Sequence, residues 1–171
     1  LASQRVAEIM EPKAERIIDL CSAPGGKTAH LAALMENKGE VIACDIHPHK
    51  LKLMKNSFHR LEVKNVQIRL LDASEALNEF GSQSFEQVLA DVPCSGLGVM
   101  AHKVDLKYHL QEKDLDAIIK LQSEILNKSW ELVRPGGYYN YSTCTINKDE
   151  NERQIESFLT NHPDAKVVSS T

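Results

Sequence analysis

The sequence predicts an α/β fold with a doubly wound, mostly parallel sheet, and three observations carry that expectation. Five short apolar runs are rich in β-branched or aromatic residues, and between them lie stretches with apolar residues at i, i+3, i+4 and i+7. Strand and helix alternate at a spacing that suits right-handed βαβ crossovers. Most of the runs also end in a polar or small residue, which marks strand ends where ligands of such sheets bind. At 171 residues, 42% hydrophobic and 26% charged, the chain can bury the core of one globular domain, and residues 1–171 are read as one.

The elements follow in order. A helix-like "SQRVAEIM" (3–10) precedes the first strand, "RIIDLC" (16–21). "KTAHLAALMEN" (27–37) is an amphipathic helix leading to the second strand, "EVIACD" (40–45). "PHKLKLMKNSFHRL" (48–61) is the next helix, with Pro48 in a first turn where its missing N–H does no harm. "VQIRLLD" (66–72) and "FEQVLADVP" (85–93) are the third and fourth strands. "LDAIIKLQSEILNKSWELV" (115–133) is a long helix stopped by Pro135-Gly136-Gly137, and "GYYNYSTC" (137–144) is the fifth strand. "KDENERQIESFL" (148–159) is a last helix, after which "AKVVSST" (165–171) reads as a strand beginning. A start at Leu1 inside a helical pattern and this ending predict a piece of a longer protein, truncated at both ends.

A formal net charge of -4 and a pI near 6.0 argue against binding nucleic acid through a blanket of positive charge. Any basic surface must be local. The four cysteines, Cys21, Cys44, Cys94 and Cys144, include no C-x-x-C pair, and no run of membrane length exists. A reducing, cytoplasmic setting and no membrane partner are expected. Tetrahedral zinc needs paired ligands at short spacing, which the seven histidines do not supply, so no metal is expected. His47, His49 and His59 read as solvated helix surface.

The stretch "CSAPGGKT" (21–28) resembles a phosphate loop at first sight. A P-loop needs a glycine where Cys21 stands, and a dinucleotide fingerprint needs three spaced glycines where only the adjacent Gly25 and Gly26 occur. The strand ends point elsewhere. Asp45, Asp72 and Asp91 each close a predicted strand and would line one crevice that suits a ligand with hydroxyls and a positive charge, and would repel phosphates. Asp45, at the end of the second strand, is placed to accept hydrogen bonds from ribose hydroxyls, and the glycines let backbone approach the ligand. Asp45 and Asp72 could also serve as turn formers or helix caps. Cys94 in "DVPCSG" and Cys144 in "YSTCTIN" follow strands among polar residues and glycine, a setting that favours access and thiolate character, whereas Cys44 and Cys21 read as packing.

In this order, "DLCSAPGGKTAHLA", "ACDIHPHKLKLMKNSFHRL", "LLDAS", "ADVPCSGLGVM" and "YSTCTINKDENE" resemble the motifs of the bacterial Sun/Fmu-type 16S ribosomal RNA cytosine-C5 methyltransferases. The resemblance implies a Rossmann-like class I S-adenosylmethionine-dependent methyltransferase fold. It implies that Cys21, Ser22, Ala23, Pro24, Gly25, Gly26 and Lys27 form a wall of the S-adenosylmethionine site. Asp45 would take the ribose hydroxyls, Asp72 would lie by the adenine and Asp91 near the methionine moiety. The nucleophile falls on Cys144 and the helper cysteine on Cys94. The partner would be ribosomal RNA, with a cytosine in a single strand or loop, and a monomer is expected. Where the family commonly carries an arginine pair and a proline, this chain has Ala101, His102 and Val104, which puts in doubt RNA contacts near His102 and Lys103. The family's N-terminal RNA-binding region and closing strands are not matched.

Covalent catalysis follows from the resemblance: a thiolate adds at C6 of cytosine to push electron density onto C5. Rival readings are a DNA-type enzyme with Cys94 as nucleophile, an amino-group methyltransferase, and a cofactor-binding scaffold for RNA assembly. The amino-group enzymes want an aromatic residue where Cys94 stands.

Overall fold

The computed structural model describes residues 2–96 and 112–169. These fall into two compact units, one of residues up to Val92 with Lys128–Ser142, the other of Pro93–Asn127 with the residues from Thr143 onward.

The first unit holds the sheet. α1 (Ala2–Met10) is followed by β1 (Arg16–Asp19), α2 (Gly26–Leu34), β2 (Glu40–Asp45), α3 (Pro48–Arg60), β3 (Val66–Leu70), a 3-10 turn (Ala73–Glu75), α4 (Ala76–Phe80) and β4 (Phe85–Asp91). β5 (Val133–Ser142) completes five parallel strands in the order β3-β2-β1-β4-β5. The chain leaves β1 in one direction and returns to its other side at β4, so the switch point lies between β1 and β4.

Alternation along each strand buries both faces. Ile17, Val41 and Leu89 pack with Ala7 and Met10 of α1 and with Leu31 and Met35 of α2. Ala43 packs with Met54 and Phe58 of α3. Ile18, Ile42 and Val88, which alternate with these, are as deeply buried, the pattern of a parallel sheet covered on both sides.

The second unit contains most of α5 (Glu112–Ser129) and all of α6 (Glu152–Asn161). Gln154 of α6 donates to the Ile119 carbonyl of α5 at 2.7 Å, and the His162 ring meets the Asn127 Oδ1 at 3.0 Å.

Several predicted boundaries move. The long helix stops at Ser129, continues as a 3-10 turn (Trp130–Leu132), and Pro135-Gly136-Gly137 lies inside β5. Val133 already pairs with Phe85, and a shift of register before the Gln87–Tyr138 pair loops the proline and glycines out. Gly137 is required there, since a Cβ would stand 2.4 Å from the Glu86 carbonyl oxygen. The 3-10 turn and α4 after β3 are too short to show a helical period, and the sequence did not reveal them. Residues 165–169 form no strand. Ala101, His102, Lys103 and Val104 lie outside the described residues.

Candidate active site

In the first unit the turn after β1 is built by its own hydrogen bonds. Both the Ser22 amide and its hydroxyl donate to the Cys44 carbonyl, at 2.8 and 2.7 Å, which fastens the turn to β2. The Gly25 amide then donates to the Ser22 carbonyl at 2.6 Å. Gly25 caps α2 with φ of +99°, and a Cβ there would lie 2.9 Å from the Phe58 ring, so glycine is needed both for the backbone and for the packing. Gly26 is different, because nothing lies within 4 Å of the place its Cβ would take. The N-terminus of α2 has no side-chain cap.

Three carboxylates end three adjacent strands. Asp19, Asp45 and Asp91 close β1, β2 and β4, and the register pairs Asp19 with both Ala43 and Leu89. Asp45 is buried, accepts the His47 amide at 2.9 Å, and has Lys50 Nζ at 3.8 Å. Its turn-forming alternative is therefore realised at one of its oxygens. Asp91 accepts from Lys27 Nζ at 2.6 Å through one oxygen and from the Ser142 hydroxyl at 2.6 Å through the other. Asp72 stands apart from these. β3 ends at Leu70, and the exposed Asp72 caps the 3-10 turn by accepting the Ser74 amide at 2.9 Å.

The sequence pattern hides Asp19, because the apolar run of the first strand reads on to Cys21 while β1 ends at Asp19. It is 1% exposed; Oδ2 accepts the Thr28 hydroxyl at 2.7 Å, and among the described residues Oδ1 has no hydrogen-bond partner of ordinary geometry. Burial pushes its carboxyl up to about 7, a change opposed by the Thr28 hydrogen bond and reinforced by the nearby Asp91 charge. An aspartate in the middle of the apolar run "RIIDLC" was the available signal. Burial, followed by the charge of Asp19, also pushes the Cys21 thiol up, and burial takes Cys44 to about 12, in keeping with packing roles for both.

In the second unit the two thiols meet. Cys94 Sγ and Cys144 Sγ are 2.6 Å apart, both are free thiols, and the Cys144 amide donates to Cys94 Sγ at 3.2 Å. They differ in setting. Cys144, two residues beyond the end of β5 rather than in it, is exposed, whereas Cys94 is half-buried. Burial, then the neighbouring Cys144 thiol, pushes Cys94 up to about 12. That direction runs against the thiolate character expected at Cys94, whose side chain is half-buried despite its glycine and polar neighbours in the sequence.

Among the described residues no group of three or more His, Cys, Asp or Glu is placed to hold a metal ion, and no helix is long and apolar enough to cross a membrane. His47, His49 and His59 are exposed.

Comparison with known proteins gives the family and the fold. Residues 7–171 match the family model of the 16S rRNA methyltransferases RsmB/F. The "Probable ribosomal RNA small subunit methyltransferase B" of Bacillus subtilis is 42% identical over 164 residues, 95% of this chain and 37% of that protein. The crystal structure of PH0851 superposes with a TM-score of 0.96 at 38% identity, over 99% of this chain and 39% of that one. NSun6 from Pyrococcus horikoshii, solved with SFG, gives a TM-score of 0.86 at 37% identity, over 94% of this chain and 41% of that one. The chain thus spans about two fifths of the length of the relatives it matches. Its sheet is the Rossmann-like class I fold of the S-adenosylmethionine-dependent methyltransferases, and the chain belongs to the RsmB/F family of 16S rRNA methyltransferases.

Proposed function

We propose that this chain transfers a methyl group from S-adenosylmethionine to C5 of a cytosine in ribosomal RNA, 16S RNA by family, through a covalent adduct of Cys144 at C6. The observation that carries the reading is the pair of free thiols in contact, one exposed and the other half-buried. Cytosine C5 is too weak a nucleophile to act unaided, so a sulfur must first add at C6. Cys144 is the sulfur a base can reach. Cys94 remains a neutral S–H beside it, able to donate to the Cys144 sulfur and so to help that thiolate leave at elimination.

The first unit fits the cofactor. Carboxylates at Asp45 and Asp91 suit hydroxyls and a positive sulfur and oppose a polyphosphate, while the open face of Gly26 and the uncapped start of α2 offer N–H groups to a carboxylate. When bound, S-adenosylmethionine supplies an electrophilic methyl group. Residues Cys21 to Lys27 form its wall, Asp45 holds the ribose hydroxyls, Asp72 lies by the adenine and Asp91 by the methionine moiety. Asp91, three residues before Cys94, is also assigned the proton donated to N3. Residues 1–171 act as one catalytic domain, as a monomer without metal, in the cytoplasm, on a cytosine unstacked from a single strand or loop.

The experiment is incubation of the protein with small-subunit RNA and S-adenosylmethionine labelled in the methyl group, followed by digestion to nucleosides. Label in 5-methylcytosine is expected; label in another nucleoside, or none, ends the reading.

A further inference from the structure

The motif "YSTCTINKDENE" contains one residue that the cofactor and the thiols do not explain. Glu150 is fully buried, yet it lies in a stretch rich in charge and asparagine where an acidic side chain would ordinarily face water. Its carboxylate is occupied on both sides. Oε1 accepts the Ser95 amide at 2.8 Å and Gln122 Nε2 at 3.1 Å, and Oε2 accepts the Ser95 hydroxyl at 2.5 Å and Asn147 Nδ2 at 3.3 Å. Burial opposes its charge, but the hydrogen bonds from Ser95, Gln122 and Thr145 outweigh it and hold the carboxyl below its usual range.

The partners identify what the carboxylate connects. Ser95 follows Cys94 directly, and its hydroxyl also meets Thr145 Oγ1 at 3.1 Å. Thr145 follows Cys144 directly, and its Oγ1 accepts the Asn147 amide at 3.2 Å. Gln122 of α5 bonds Glu150 and, at 2.8 Å, the Pro93 carbonyl just before Cys94. One buried carboxylate therefore joins the residue after each cysteine to the helix beneath.

We propose that Glu150 is the positioning residue of the thiol pair: through Ser95 and the Thr145–Asn147 turn it sets the distance between Cys94 and Cys144. It touches neither sulfur and acts only through the two loops. Its bearing on methyl transfer rests on the function proposed above, whereas its effect on the thiols does not.

The test reads the thiol spacing directly, by oxidation with diamide. Two thiols lose their hydrogens to the azo group, a disulfide forms, and the azo compound becomes a hydrazine. The Cys94–Cys144 link is quantified by peptide mass mapping against time. In the unaltered chain the link should form rapidly. Glu150→Ala, which removes every contact, should slow it at least tenfold, and Glu150→Gln, which keeps one acceptor but faces Ser95 or Asn147 with a second donor, should fall between. Alkylation of exposed Cys144 by iodoacetamide should be unchanged in both. Phe158→Leu, a buried substitution in α6 that leaves the two loops alone, controls for lost stability and should oxidise at the unaltered rate. An unaltered rate in Glu150→Ala, or an equal slowing in Phe158→Leu, would overturn the proposal. If Glu150→Ala does not fold, Glu150→Gln against Phe158→Leu decides. None of these outcomes depends on methyl transfer, whose own failure would appear only as missing 5-methylcytosine.

Discussion

Lys27 of the glycine turn is neutralised within the first unit: its Nζ lies 2.6 Å from Asp91 Oδ2, and the two side chains are 19% and 28% exposed. The lysine that makes "CSAPGGKT" look like a phosphate loop is thus engaged by a carboxylate across the switch point of the sheet. A partly buried, charge-assisted hydrogen bond of this kind is worth more than a surface ion pair. Lys27→Met should cost about 1.5–3 kcal/mol of stability, because it removes the bond and leaves Asp91 with Ser142 as its remaining described partner. Urea unfolding would measure it; an unchanged midpoint would mean that the pair contributes nothing.

Asp45 tests the cofactor site. Its Oδ1 already holds the His47 amide, and Oδ2 has Lys50 at 3.8 Å. Asp45→Ala should weaken S-adenosylmethionine binding by on the order of 1–3 kcal/mol, read by calorimetry, as lost hydrogen bonds to a buried ligand require. Equal affinity would remove the ribose assignment.

Asp19 should give the fold a pH dependence of defined sign. Burial raises its carboxyl from an ordinary 3.8 to about 7, so between these values the unfolded chain releases a proton that the folded chain keeps. Rising pH therefore favours unfolding across that window; the penalty is absent below about 4 and complete above about 7, where it amounts to roughly 4 kcal/mol. Asp19→Asn keeps an acceptor for Thr28 and removes the ionisation, so the variant should lose that decline. Unfolding titrations at pH 4, 6 and 8 check this, and an identical pH profile in the two proteins would exclude it.

The two thiols should fail differently. Cys144→Ala should bind S-adenosylmethionine yet give neither methylated RNA nor a protein–RNA species that survives denaturation. Cys94→Ala still carries the exposed sulfur, so it should form the adduct and release it slowly, leaving a slow-migrating band on a denaturing gel. A band from Cys144→Ala and none from Cys94→Ala would reverse the roles and point to the DNA-type arrangement.

What the sequence determined by itself is whatever depends on local pattern and order. Continuous apolar runs and period-3.6 apolar spacing specify strands and helices because a central parallel strand buries both faces and a helix one, and this is why β1 to β5 were legible in order. The order of the glycine turn, Asp45, the proline–cysteine and the threonine–cysteine motifs was enough to recognise the family. Tertiary structure alone decided the environment of each group. Asp19 and Glu150 are single acidic letters in the chain, but enclosure strips water from both, and only the donors around them separate a carboxyl pushed up from one held down. Asp72 reads like its two companions at a strand end, yet it caps a 3-10 turn, because pairing in β3 stops two residues earlier. Cys94 and Cys144 have similar neighbours in sequence. The fold half-buries one and exposes the other beside it, because desolvation depends on what packs around a sulfur and not on what precedes it in the chain.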